Sequence, residues 1–106
     1  MITLEEFLKV ELKVARILEA KRHPDADRLL VLTVDAGAEK KEVVAGVAQH
    51  YSAESLVGKQ VVLVNNLQPA TLRGVVSNGM ILAAKDGETL SLITTDRAVS
   101  PGAGVR

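Results

Sequence analysis

The stretch "EVVAGVAQHYSAESLVGKQVVLVNN", residues 42–66, decides the fold. Two runs rich in valine, residues 42–48 and 60–66, flank a segment of different character. In it, Ser52 is a good helix N-cap, "AESLV" is about one helical turn, and Gly58 stops it. The order predicted is strand, short helix, strand.

Upstream, "LLVLTVD" (29–35) is apolar and rich in β-branched residues, and "AGAEKK" (36–41) is a glycine-containing connection. Residues 29–35 and 42–48 therefore read as an antiparallel pair. Before them, Val10, Leu12 and Val14 alternate with Glu11 and Lys13, and the phase blurs at Ala15-Arg16-Ile17-Leu18. That pattern predicts a long strand from about Val10 to Ala20 with a bulge or bend near Ala15. Thr3 followed by Glu6 fits a capping box, so a brief N-terminal helix precedes the strand, with Phe7, Leu8 and Val10 as its apolar face. "KRHPDADR" (21–28) is a charged loop. Downstream, "LQPATLRGVVSN" (67–78) reads as a long loop and "GMILAAK" (79–85) as a fifth strand; Asp86-Gly87 is a turn and "LSLIT" (90–94) a further short strand.

Five strands with one short helix between the third and fourth is the element order of an OB-fold barrel. The expected fold class is all-β, a five-stranded OB-fold barrel with short N-terminal and inter-strand helices, forming a single domain over residues 1–106. Ligands of such barrels lie on strands two and three, between the loop joining strands one and two and the loop joining strands four and five. Here those loops are residues 21–28 and 67–78. Residues 85–106 exceed what five strands need, and Leu90, Leu92, Ile93 and Val99 call for cover. A second subunit is expected to supply it, which makes this tail a C-terminal dimerisation extension.

Composition narrows the function. The 106 residues hold 13 Lys and Arg against 13 Asp and Glu, so nucleic-acid binding must be local rather than a property of the whole surface. Between Ser55 and Lys85 there is no acidic residue, while Lys59, Arg73 and Lys85 are basic. The chain has no cysteine, which excludes disulfides, thiolate metal sites and a cysteine nucleophile. The N-terminal residues do not read as a signal peptide and no apolar run nears the roughly 20 residues of a membrane span, so a cytoplasmic protein with no membrane association is expected.

No catalytic motif is present: neither G-x-S-x-G, nor a phosphate-binding glycine loop with lysine, nor a pair of carboxylates in an apolar setting. The chain is not expected to be an enzyme or to hold a cofactor. His23, Asp25 and Asp27 fall short of the convergent ligands zinc wants, and Pro24 with two turn-prone aspartates suggests a rigid loop. The scarcity of aromatic residues, Phe7 and Tyr51 alone, argues against stacking of successive bases. Within "LRGVVSNGM" (72–80), an arginine fork, hydroxyl and amide donors, a glycine and a soft methionine suit a phosphate with a ribose or base face. Asn66, at the end of its strand, is a further polar candidate.

The blocks "FLKVELKVARI", "HPDADRL", "VVAGVAQHY", "LVGKQVVLVNNLQP", "LRGVVSNGMILAA" and "PGAGV" together resemble the tRNA-binding domain found in methionyl-tRNA synthetases, in endothelial monocyte-activating polypeptide II-like proteins and as a free-standing tRNA-binding protein. The resemblance runs through nearly the whole chain and is greatest to the free-standing form. It implies a homodimer that recognises folded tRNA by structure, with an aminoacyl-tRNA synthetase as a further partner. It also implies that Arg73 holds phosphate, Ser77 and Asn78 donate to backbone or ribose, Gly79 allows close approach and Met80 packs on the ligand. Gln68, Ala70, Thr71 and Gln49 stand where family members commonly carry basic residues, so Lys13, Arg16, Lys21 and Arg22 are expected to carry more of the phosphate binding. The alternative within the same fold is a CsaA-type secretion chaperone that binds peptide.

Overall fold

A computed structural model describes all 106 residues. Helix α1 (Leu4–Phe7) starts at the anticipated capping box: the Thr3 hydroxyl accepts from the Glu6 amide, and the Glu6 carboxylate accepts from the Thr3 amide. Strand β1 (Leu12–Arg22) is the spine, paired antiparallel to both β2 (Leu30–Asp35) and β4 (Gln60–Val64). β2 pairs in turn with β3 (Lys40–Ala45), and β4 with the two-residue β7 (Met80–Ile81), giving the order β3-β2-β1-β4-β7. Helix α2 (Ala53–Leu56) is capped by Ser52 and places Leu56 at full burial against the barrel. This is the expected OB-fold barrel.

Strand alternation accounts for the core. Ala15 and Ile17 of β1, Leu30, Leu32 and Val34 of β2, Val43 and Ala45 of β3, Val61 and Leu63 of β4 and Ile81 of β7 all point inward into one cluster. The register of β1 against β2 slips between Ile17 and Glu19. The bulge thus lies about three residues beyond the blurred Ala15, because Lys13, Ala15 and Ile17 still keep strict alternation.

The barrel closes where β3 meets the residues before β7. The Asn78 amide donates to the Glu42 carbonyl at 2.9 Å, and the Ser77 hydroxyl accepts from the Val44 amide at 2.8 Å while donating to the Gly79 carbonyl at 2.9 Å. The free edge of β3 is satisfied by one peptide and one side chain. Gly79 has φ +146°, and a Cβ there would stand 2.9 Å from Leu63 Cδ1 and 3.0 Å from the Val64 carbonyl oxygen. Close packing on β4 requires the glycine.

Two segments differ from expectation. The long loop 67–78 contains a hairpin, β5 (Ala70–Leu72) and β6 (Val75–Ser77). The fifth strand divides into β7, which pairs with β4, and β8 (Ala83–Asp86), which leaves the barrel to pair with β9 (Thr89–Leu92). The sequence hid the break between β7 and β8 because apolar residues run on through Leu82.

The tail finds part of its cover within the chain. Leu92 joins the core and Leu90 packs against it, while the Leu92 amide donates to the Tyr51 hydroxyl. The side chain of Gln60, 8% exposed, donates to the Val99 carbonyl and accepts from the Val99 amide and the Thr95 hydroxyl. The last strand, β10 (Gly104–Val105), pairs with the start of β1.

Ser77→Ala leaves the buried Val44 amide without its acceptor and is expected to lower stability by about 1–3 kcal/mol, read as a lower midpoint in urea unfolding with an unchanged slope. A midpoint equal to that of the unsubstituted protein would show that the seam does not depend on this hydroxyl.

Candidate nucleic-acid interface

The loop after β1 and the β5–β6 hairpin are joined by one side chain. His23 is 5% exposed, its Nδ1 accepts from the Asp25 amide at 3.0 Å, and its Nε2 stands 3.0 Å from the Leu72 carbonyl. Since Nδ1 is the acceptor, the ring proton is on Nε2 and is donated to Leu72. Both nitrogens are committed to backbone groups, which leaves neither for the imagined metal cluster.

Arg73 sits next in the chain, at the tip of the hairpin. Leu72 pairs with Val75, so Arg73 and Gly74 form a two-residue connection, with φ +52° and +89°. Positive φ at both positions marks a type I′ turn, where Asn, Asp and Gly are the residues of low strain. Arg73 is the one non-glycine residue of the chain with positive φ. An arginine held this way costs on the order of 1 kcal/mol relative to residues that tolerate the conformation.

Arg73 lines an open cleft of about 460 Å³ together with Asp25, Asp27 and Arg28 of the other loop. Lys21 and Arg22, at the end of β1, lead directly into that loop and are exposed, although Lys21 lines a separate outer groove with Glu19 and Glu42. None of these four cations has a carboxylate within ion-pair distance; the three ion pairs of the molecule are Lys13–Glu11, Lys41–Glu39 and Arg97–Asp96. Arg28 escaped sequence reasoning, although its place at the end of a predicted binding loop was the signal.

The other candidates disperse. Lys13 lies at the far end of β1, nine residues from Arg22 or about 30 Å of strand, and its ammonium is 3.3 Å from Glu11. Arg16 stands mid-strand, half-buried, opposite Asp35 and Gln60. Met80 is 47% exposed on β7, and Asn78 lines a polar cleft in which Lys40 and Lys41 are balanced by Glu39 and Glu42. Ser77 is buried at the seam described above. Asn66 is a clamp: its Oδ1 accepts from the Glu11 amide and its Nδ2 donates to the Lys9 carbonyl. Beside it, Asn65 Nδ2 donates to the Glu11 carboxylate, and this bond, with the Lys13 ammonium second, holds the Glu11 carboxyl below its ordinary range.

A closed OB-fold barrel with paired loops at one end of its long first strand defines a binding domain of the OB class. Residues 12–104 match the family model described as "Putative tRNA binding domain", and the chain belongs to that family. It is 52% identical to the methionine-tRNA ligase of Thermotoga maritima over 104 residues, covering 98% of this chain and 16% of that protein. Its length is thus about a sixth of that relative's. Among solved structures, a MetRS related protein from Pyrococcus horikoshii superposes with TM-score 0.94 at 33% identity, covering 100% of this chain and 98% of the other. A CsaA chaperone protein from Picrophilus torridus superposes with TM-score 0.92 at 26% identity over the whole of both chains.

The lowered Glu11 value fixes a sign. A carboxyl depressed in the folded state adds stability above its unfolded value and loses that contribution as pH falls through the folded value. The unfolding midpoint of Glu11→Gln should therefore lie slightly below that of the unsubstituted protein at pH 7, and the gap should close in acid below the ordinary glutamate value of about 4.3. Parallel midpoints across the whole range would contradict the Glu11–Asn65–Lys13 link.

Proposed function

We propose that this chain is a non-catalytic module that binds folded tRNA by its phosphate backbone, through Arg73 and Arg28 with Lys21 and Arg22 alongside. The observation that carries this reading is Arg73 itself, an arginine in a turn position that disfavours it, among cations with no carboxylate partner. A strained residue whose side chain makes no internal bond is best explained by an external ligand. Phosphate contacts made from two rigid loops favour a ligand of fixed shape, as folded RNA is. In this reading Ser77, Gly79 and Asn66 serve the interface indirectly, by closing the barrel and anchoring the segment that follows β4. Asn78 and Met80 stand outside the cleft that Arg73 and Arg28 line.

The homodimer belongs to the same proposal. No residue of α1 is buried, and Ile2, Leu4, Leu8 and Val10 are 67%, 71%, 57% and 43% exposed. Leu8 and Val10 border a cleft with Val105 of the tail. We place the seam there, on α1 and the final strand together, rather than on the tail alone. A dimer doubles the phosphate contacts available to one ligand. Relatives 52% and 47% identical to this chain are methionine-tRNA ligases, which supports a module that acts beside a synthetase, attached or separate, in the cytoplasm.

The CsaA likeness supports a second reading, peptide binding. An outer groove of about 410 Å³, lined by Leu18, Ala20, Val31 and Val57 and on its polar side by Glu19, Lys21, Thr33 and Glu42, is the place for it. The 52% identity to a ligase against 26% to the chaperone favours the tRNA reading.

Replacing Arg73 by Asn separates the two. Arg73→Asn relieves the turn and is expected to raise stability by about 0.5–1 kcal/mol while weakening tRNA binding about tenfold. It should also reduce the slope of log K against log salt by about one. Unchanged affinity for folded tRNA in filter binding would sink the phosphate reading, and salt-insensitive capture of unfolded polypeptide would then support the peptide reading. Light scattering is expected to give two subunits for the unsubstituted protein and one after Leu4→Glu with Leu8→Glu; a monomer before substitution would overturn the seam.

A further inference from the structure

Resting on the tRNA reading above, we infer that His23 is the positioning residue that makes the two cationic loops one phosphate site. The loop bearing Arg28 and the hairpin bearing Arg73 lie 49 residues apart in sequence at the point where His23 meets Leu72. No strand pairing joins β5 or β6 to the barrel sheet; the two form a separate two-stranded sheet. The hairpin is held at its base by the Ser77–Asn78 seam on β3, and at its tip end by the bond from His23 Nε2 to the Leu72 carbonyl. That carbonyl is the last acceptor before Arg73.

The chemistry explains why the residue is a histidine. The position needs an acceptor facing back to the Asp25 amide and a donor facing out to Leu72, at opposite ends of a short rigid plate. A neutral imidazole offers one of each with few rotatable bonds. Asparagine keeps an acceptor near Nδ1 but does not reach Leu72. Glutamine keeps a donor near Nε2 but gives up the acceptor. Burial at 5% exposure means that water does not replace a lost partner.

An isolated two-stranded hairpin is marginal in water, and its tip moves unless something else fixes it. Without the His23 bond, Arg73 remains on the molecule but is no longer set relative to Arg28. The ligand must then order the hairpin as it binds, which lowers affinity with no phosphate contact removed. His23 acts through Arg73 and touches no ligand.

The test is a double-mutant cycle on the full chain, with unfractionated folded tRNA as the probe and filter binding at low salt as the readout. Circular dichroism melts confirm that each variant is folded at the assay temperature. Arg73→Asn and His23→Asn are each expected to weaken binding about tenfold, and the double variant to be no more than about twofold weaker than Arg73→Asn alone, the pattern of coupled residues. His23→Gln, which retains the donor toward Leu72, should bind within about threefold of the unsubstituted protein, since the remaining bond still sets the hairpin.

Losses that multiply in the double variant, or full binding by His23→Asn, overturn the inference while leaving the tRNA reading in place. Full binding by Arg73→Asn overturns the tRNA reading itself. Should His23→Asn not fold at the assay temperature, His23→Gln decides: a folded variant that binds about tenfold more weakly overturns the role assigned to the Leu72 bond, and one that binds nearly as the parent upholds it.

Discussion

The free edge of β3 is the constraint on which the barrel depends. A five-stranded sheet this short closes only if the residues before its last strand present a donor and an acceptor to that edge. Here Asn78 gives its amide and Ser77 its hydroxyl, at 2.9 and 2.8 Å. Gly79 follows because the chain must then turn onto β4 with φ +146°, so close to Leu63 and the Val64 carbonyl that a side chain would be both strained and crowded. The Ser-Asn-Gly triplet is thus first a closure. Its position after the hairpin lets a single segment both finish the barrel and project Arg73 away from it.

Much of this was legible from residue pattern. Alternation in β1, the paired valine-rich runs, the Ser52 cap and the Gly58 stop fixed the barrel order without tertiary information, because each rests on local geometry. The hairpin within residues 67–78 was not legible. Its turn is Arg-Gly rather than Asn-Gly, and its strands of three residues are too short for alternation to register. The inner placement of Ser77 was also hidden, since a serine that serves a strand edge and a serine that serves a ligand look alike in sequence. His23 was visible only as a residue of a charged loop, because its partner lies 49 residues away.

Charge shows a similar division. Lys13 and Lys41 have carboxylates beside them and are internal to the structure's own electrostatics. Lys21, Arg22, Arg28 and Arg73 do not. A net charge of zero therefore conceals an end of the molecule where cations outnumber the two aspartates of the same loop. Such an arrangement gives little long-range attraction to nucleic acid and confines binding to a ligand that brings phosphate to that end.

β1 also separates the chain's extremities from that end. The N-terminal segment is clamped by Asn66 and the final strand pairs with Leu12 and Lys13, so both termini emerge at the start of β1, while Arg22 and the loop after it stand at the other end. The domain is therefore a plug with its leads on one side. A larger body joined at either terminus, or a second copy seated across both, leaves the opposite pole unobstructed, and the domain can be appended to or detached from other machinery without redrawing the surface that meets the ligand.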